Sequence, residues 1–417
     1  MRAQPTPDSR RSWLLLGVLV AGYIGVYLCR KNYAVAVPLL REEFGATKEE
    51  IGRIASVGTL AYAIGKMVLC PLADRFGGRR CFFASLLVVA GFGLASALAP
   101  TLGALAMVYA FNRFGGSIAW ASMVKQVPPW FGPKNLALAL AVLSLSYVFG
   151  GAAAVALAGV VADASGQSWR AVMGVPAVFV LLLLAAAWWL LPRDSGAVNG
   201  KGSERSGLGA SGFSWGLVRE LVRLRGFWVV SALSFSLTLV RETFNDWTVD
   251  FIRTEGGAHL STSVAAFLST PFDLCGAGGI LFVGAMMGRL SVRGRARLLA
   301  GSLFALCAVL LVLPRLVPLG LGFTVPAVGL IGFLSLGPYS LLAGYFAVQL
   351  RGEACAGTVA GIVDSLGYVA GLLAGSAFGW LLDRGGYALG FYVLAGISLV
   401  SAVIALSLEV KAPARLS

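Results

Sequence analysis

Arg30 and Lys31 stand inside a stretch that is otherwise apolar from Trp13 to Leu40 (WLLLGVLVAGYIGVYLCRKNYAVAVPLL) and long enough to cross a bilayer. A cation at that depth costs at least about 2.5–3.5 kcal/mol, so it faces a polar cavity or a partner and not lipid. Arg241 repeats the pattern in the run 227–252, the first apolar run of the second half of the chain. Two halves, each opening on a helix with a buried arginine, suit the carriage of an anion.

Composition agrees with a membrane solvent. With 58% hydrophobic residues, 12% charged residues and a mean hydropathy of +0.83, the chain cannot hide its apolar surface in a soluble core, so an all-α membrane protein is expected. The net charge of +14 comes from Lys and Arg in short loops between apolar runs, a topology signal that excludes nucleic acid as the partner. The opening MRAQPTPDSRRSW has no small-residue cleavage site and the first apolar run is too long for a signal peptide, so the first helix is expected to persist. Cys29, Cys70, Cys81, Cys275, Cys307 and Cys355 are scattered without a CxxC, and the single histidine, His259, lies in a polar loop. No metal site and no cofactor is expected from them.

Twelve apolar runs of spanning length follow, near 13–40, 51–72, 81–99, 102–124, 135–161, 170–192, 227–252, 262–285, 297–314, 321–349, 355–382 and 386–408. The polar segment 193–226 divides them six and six. The expected organisation is an N-terminal six-helix bundle (1–192), a cytoplasmic central loop (193–226) and a C-terminal six-helix bundle (227–417). With both termini cytoplasmic, inner segments hold 21 Lys and Arg against seven in outer loops, the bias that sets orientation. Arg30, Lys31, Lys66, Arg113 and Arg241 lie within spans, while Arg41 and Lys48 count among the outer-loop cations.

Asp74-Arg75-Phe76-Gly77-Gly78-Arg79-Arg80 follows the second span, with Gly65 on the helix before it. This short D-R-x-G-x-R-R loop resembles the signature loop of the major facilitator superfamily, whose six-plus-six architecture the spans also match. Asp74 at a helix end suits a hinge or gate, holding a cationic turn in one of two conformations. A narrower resemblance lies in Tyr23, Tyr27, Arg30-Lys31-Asn32-Tyr33, Ala36 and Pro38, with Ala61-Tyr62-Ala63-Ile64-Gly65-Lys66, Arg241 before Asp246-Trp247, and Gly337-Pro338. These resemble the Y-x-x-x-Y-x-x-R-K-N, A-Y-G/A-x-S/G-K, R-x-x-x-x-D-W and G-P patterns of the organophosphate:phosphate antiporters.

That resemblance implies a phosphate clamp of Arg30 and Arg241, one from each half, with Lys66 as a further cation and Tyr23, Tyr27 and Tyr62 as hydroxyl donors and aromatic walls. Guanidinium forks match phosphate oxygens, which a point-charge ammonium does less well. Tyr23, Tyr27 and Arg30 share a helical face by spacing, as do Tyr62 and Lys66. The resemblance further implies that Asp246 and Asp273 supply an acidic partner for Lys31, as ion pairs that break and reform during gating. Glu242 and Asp364 fall outside the family pattern. Each either neutralises a neighbouring cation or, for Asp364 above all, reads a substrate hydroxyl or amine. Tyr147 stands where glycerol-phosphate members carry a histidine, and Ala119-Trp120-Ala121-Ser122 replaces their G-W-P-P. Both departures weigh against glycerol 3-phosphate itself.

The sequence therefore predicts a secondary active transporter of a small organic phosphate or phosphonate, exchanged for inorganic phosphate by alternating access. It would be a monomer, multi-pass in the cell (plasma or inner) membrane, with a phosphorylated or phosphonate substrate, inorganic phosphate and the lipid bilayer as its partners. No P-loop is present, so no fused ATPase is expected, and no catalytic residues are assigned. The alternatives are a membrane sensor of sugar phosphate, or a proton-coupled symporter of an organic anion with Asp364 as its proton site.

Overall fold

The computed structural model describes residues 8–131, 133–191, 215–256, 260–287, 290–342, 346 and 356–407, and the regular elements among them are all helical. α1 (Arg10–Phe44) is opened by Ser9, whose hydroxyl accepts from the Ser12 N–H at 3.2 Å, and closed by Gly45 at φ 59°. α2 (Lys48–Phe76) starts from a reciprocal capping box: Thr47 N–H donates to Glu50 at 3.0 Å and Glu50 N–H to the Thr47 hydroxyl at 3.2 Å. α3 (Gly78–Ala97) follows, then α4 (Leu102–Gly116) and α5 (Ala119–Gln126). α6 (Pro133–Ala164) and α7 (Trp169–Leu190) complete the first half.

The second half holds α8 (Trp215–Val222), α9 (Arg225–Glu255), α10 (Thr262–Ser269), α11 (Pro271–Met287), α12 (Val292–Leu316), α13 (Leu321–Leu342), α14 (Ala356–Leu372) and α15 (Phe378–Leu406). The fourth and eighth spans are each two helices where the sequence suggests one. Pro271, which has no N–H to continue a helix, restarts the chain as α11. A short helix, α8, also lies within the stretch read as central loop. The eleventh and twelfth spans run on into each other, and the turn between them falls at Gly386, whose φ of 63° favours glycine.

Eight segments among the described residues are long and apolar enough to cross a membrane by length and composition. α2, α4 and α9 are not among them. They carry Lys66, Arg113, and the set Arg241, Glu242, Asp246 and Asp250, while α1, which carries Arg30 and Lys31, is among the eight.

Two compact units divide the chain. One comprises residues 1–198 and 245–270, the other residues 199–244 and 271–417. The first packs around Leu16, Leu19, Phe82, Leu86, Met123 and Leu143, all buried. Polar side chains tie its helices together: Asn32 Nδ2 donates to Val172 O at 3.1 Å and Tyr33 Oη to Ile51 O at 2.7 Å. In the second unit Phe244 stacks on Phe272 at 5.5 Å and on Phe391 at 5.8 Å, and the Ser401 hydroxyl donates to Ser236 at 2.6 Å.

Glycine sets the approach of α11 and α13. A Cβ at Gly332 would collide with the backbone of Phe272, and one at Gly279 with the backbone of Phe333. Lipid gives no hydrophobic drive for helix pairing, so this close backbone contact carries the association. Gly332→Ala is expected to destabilise the protein by about 1–3 kcal/mol, since backbone cannot yield as a side chain can. Thermal unfolding of the purified variant checks it against Gly284→Ala, whose new methyl meets nothing within 4 Å. Equal melting of the two variants would show that α11 and α13 can part freely.

Candidate anion site

The first-unit cations gather on one tyrosine. Tyr62 of α2 is buried, and its ring centroid lies 4.9 Å from the Arg30 guanidinium carbon, 4.8 Å from that of Arg113 and 5.3 Å from Lys66 Nζ. Arg30 also stacks on Tyr27 at 5.4 Å, and Tyr27 meets Tyr23 edge to face at 5.4 Å. Tyr23, Tyr27, Arg30, Tyr62, Asn112 and Arg113 line one recess of about 10 Å³, room for one water-sized group. Tyr109 Oη donates to the Arg30 carbonyl at 3.3 Å and Asn112 Nδ2 to Val89 O at 2.7 Å, so the recess is built on fixed backbone. Aromatic faces supply part of the stabilisation that water would give these cations.

The structure thus brings together Arg30, Lys66, Tyr23, Tyr27 and Tyr62 and adds Arg113 and Asn112, to which the sequence reading assigned no role at the site. Tyr147 packs against the core of the same unit and is not among the residues lining the recess. In the second unit the Arg241 guanidinium lies 4.3 Å from the Tyr339 ring and donates to Glu242 Oε1 at 2.5 Å. Glu242, 3% exposed, is therefore a neutralising partner of Arg241. Neighbours along a helix do not face each other, so the arginine arm folds back to make this bond.

Lys31 Nζ donates to Asn245 Oδ1 at 2.6 Å, next to the half-buried Asp246. Asp273 lies in the first turn of α11, where a carboxylate meets the positive end of the helix dipole. The side chains of Asp74 and Asp364, and all of His259, lie outside the described residues.

A carboxylate that sequence reasoning passed over organises the end of α1. Asp250, its side chain 1% exposed, accepts from Arg41 at 3.0 Å and pairs with Lys48 Nζ at 3.6 Å. Arg253 pairs with Glu42 at 3.0 Å. Asp246, Asp250 and Arg253 share one face of α9 by their spacing of four and three, which is the signal that could have found them. The Ser263 hydroxyl donates to Asp163, and the Thr262 hydroxyl to Gln167, joining α10 to the end of α6. These contacts explain why residues 245–270 belong to the first compact unit.

The profile of the Major Facilitator Superfamily matches residues 19–375. The chain is 26% identical over 407 residues to the "Probable hexose phosphate transport protein" of Chlamydia pneumoniae, covering 89% of this chain and 85% of that one. It is 24% identical over 422 residues to the "Glycerol-3-phosphate transporter" of Bacillus subtilis (strain 168), covering 95% and 92%. Among solved structures, the bacterial homologue of the human lysosomal transporter Spinster, inward-facing and occupied, has the same fold, with a TM-score of 0.77 at 15% identity over 97% of each chain. A match that runs from the first apolar run into the eleventh, on a helical fold shared end to end with a solved transporter, places this chain in the Major Facilitator Superfamily, as a multi-pass membrane transporter and not an enzyme.

Proposed function

We propose that the chain carries a small organic phosphate or phosphonate across the cell membrane in exchange for inorganic phosphate, as a monomer of the organophosphate:phosphate antiporter type. The observation that carries this reading is the crowding of Arg30, Arg113 and Lys66 around the buried Tyr62, a cationic site walled by tyrosines. The relatives named for hexose phosphate and glycerol 3-phosphate transport support the same substrate chemistry. Arg30 grips the phosphate from the first half (1–192) and Arg241 from the second (227–417), while both termini face the cytoplasm. Lys66 adds charge, Tyr23, Tyr27, Tyr62 and Tyr147 donate hydroxyls, and Asp364 tunes the substrate's tail. Lys31 with Asp246 and Asp273, and Asp74 in its loop, break and reform contacts as the halves rock.

In proteoliposomes loaded with inorganic phosphate, external labelled phosphate is expected to enter rapidly, and unlabelled sugar or glycerol phosphates to compete. Entry should be slow when the lumen holds no phosphate, and a pH gradient should not replace it. Uptake driven by a pH gradient into phosphate-free vesicles would instead identify a proton-coupled symporter. Binding without any flux would identify a sensor.

A further inference from the structure

Arg113 is placed unlike an ordinary structural arginine. It is 5% exposed, in α4, and among the described residues no hydrogen bond or ion pair satisfies it. Its stem lies against α2, since a Cβ at Gly58 would meet Arg113 Cγ at 3.2 Å, and the side chain lines the recess. Among the described residues, the charged or titratable groups that share its recess or its contact with Tyr62 are Tyr23, Tyr27 and Arg30 from α1 and Tyr62 and Lys66 from α2, with Tyr109 of its own helix also against Gly58, none of them acidic. A guanidinium cannot shed its charge, and burying one without an anion costs more than a contact with one aromatic face returns. The recess has room for one oxygen-sized group, and Arg30 lines it from the other helix.

We infer that Arg113 binds the anionic head of the substrate together with Arg30, and that this second guanidinium selects a doubly ionised phosphate or phosphonate over a singly charged sulfonate. The inference rests on the reading of the site as an organophosphate site and adds what sets its preference among oxyanions. An oxygen of the head group enters the recess between the two guanidiniums, and their combined charge favours two negative charges over one.

The test uses purified full-length protein and two small probes of matched shape, methylphosphonate and methanesulfonate, at mildly alkaline pH where they are doubly and singly charged. The wild type is expected to prefer methylphosphonate. Arg113→Gln should weaken methylphosphonate binding by about tenfold or more while changing methanesulfonate by less than about threefold. An equal loss for both probes would mean that Arg113 only props Tyr62, and no loss would remove it from the site; either result overturns the inference. A wild type that binds neither these probes nor inorganic phosphate defeats the organophosphate reading itself, which separates the two failures. Phenylglyoxal labelling of the wild type, read by peptide mass, needs no variant to fold. Saturating methylphosphonate should protect Arg113, and an unprotected Arg113 overturns the inference.

Discussion

Lysine in place of Arg30 or of Arg241 is expected to lower phosphate exchange in reconstituted vesicles by roughly a hundredfold, the loss of one or two charge-assisted hydrogen bonds at a desolvated site. The Arg30 guanidinium carbon lies 5.4 Å from the Tyr27 ring centroid and 4.9 Å from that of Tyr62. An ammonium keeps the charge but loses both the stacking plane and the paired N–H groups. At Arg241 the loss has a second source. The guanidinium already gives one hydrogen bond to Glu242 and has further N–H groups to offer, whereas a lysine bonded to Glu242 would have its charge spent there. Thermal unfolding of both variants should stay near that of the wild type, so that the loss reads on transport and not on folding. Near-normal exchange in either variant would remove that arginine from the clamp.

Arg30 and Arg241 were legible in the sequence because a cation in an apolar run is costly enough to need a reason, whatever the fold around it. Tyr62 and Lys66 were legible through a spacing of four, the same as that of Tyr23 and Tyr27. Arg113 was visible as a cation within a span, yet its contact with Tyr62 depends on how α4 lies across α2, which helical periodicity does not encode. The breaks that split α4 from α5 and α10 from α11 coincide with Gly115-Gly116-Ser117 and Thr270-Pro271, turn and breaker signals that a reading by length of apolar run passes over. Asp250 was missed for a different reason. Its partners Arg41 and Lys48 read as loop cations that set orientation, and only the packing of α9 against the ends of α1 and α2 turns them into members of a buried cluster.

Asp250→Asn is expected to be among the most destabilising single changes outside the anion site. The carboxylate is buried and faces two cations, and removing one partner of a buried ion pair costs about 3–5 kcal/mol because the remaining charge is left uncompensated. The loss should depend on pH in a defined direction. Lys48 begins α2, ahead of the apolar run, and burial pulls its ammonium below the usual lysine range, while the Asp250 charge pulls it back up and Arg41 pushes it down. In Asp250→Asn only the lowering influences of burial and Arg41 remain strong, so folded Lys48 releases its proton more readily than unfolded Lys48. Across the interval between those two pKa values the unfolded chain binds more protons, and stability rises with pH. The variant should therefore melt well below the wild type at neutral pH and recover part of the difference as pH rises toward the ordinary lysine range. Adding Lys48→Met to Asp250→Asn should restore some stability at neutral pH and flatten that pH dependence. A double variant that melts with the same pH dependence as Asp250→Asn alone would show that Lys48 does not feel the Asp250 charge, and would shift the weight of the cluster to Arg41.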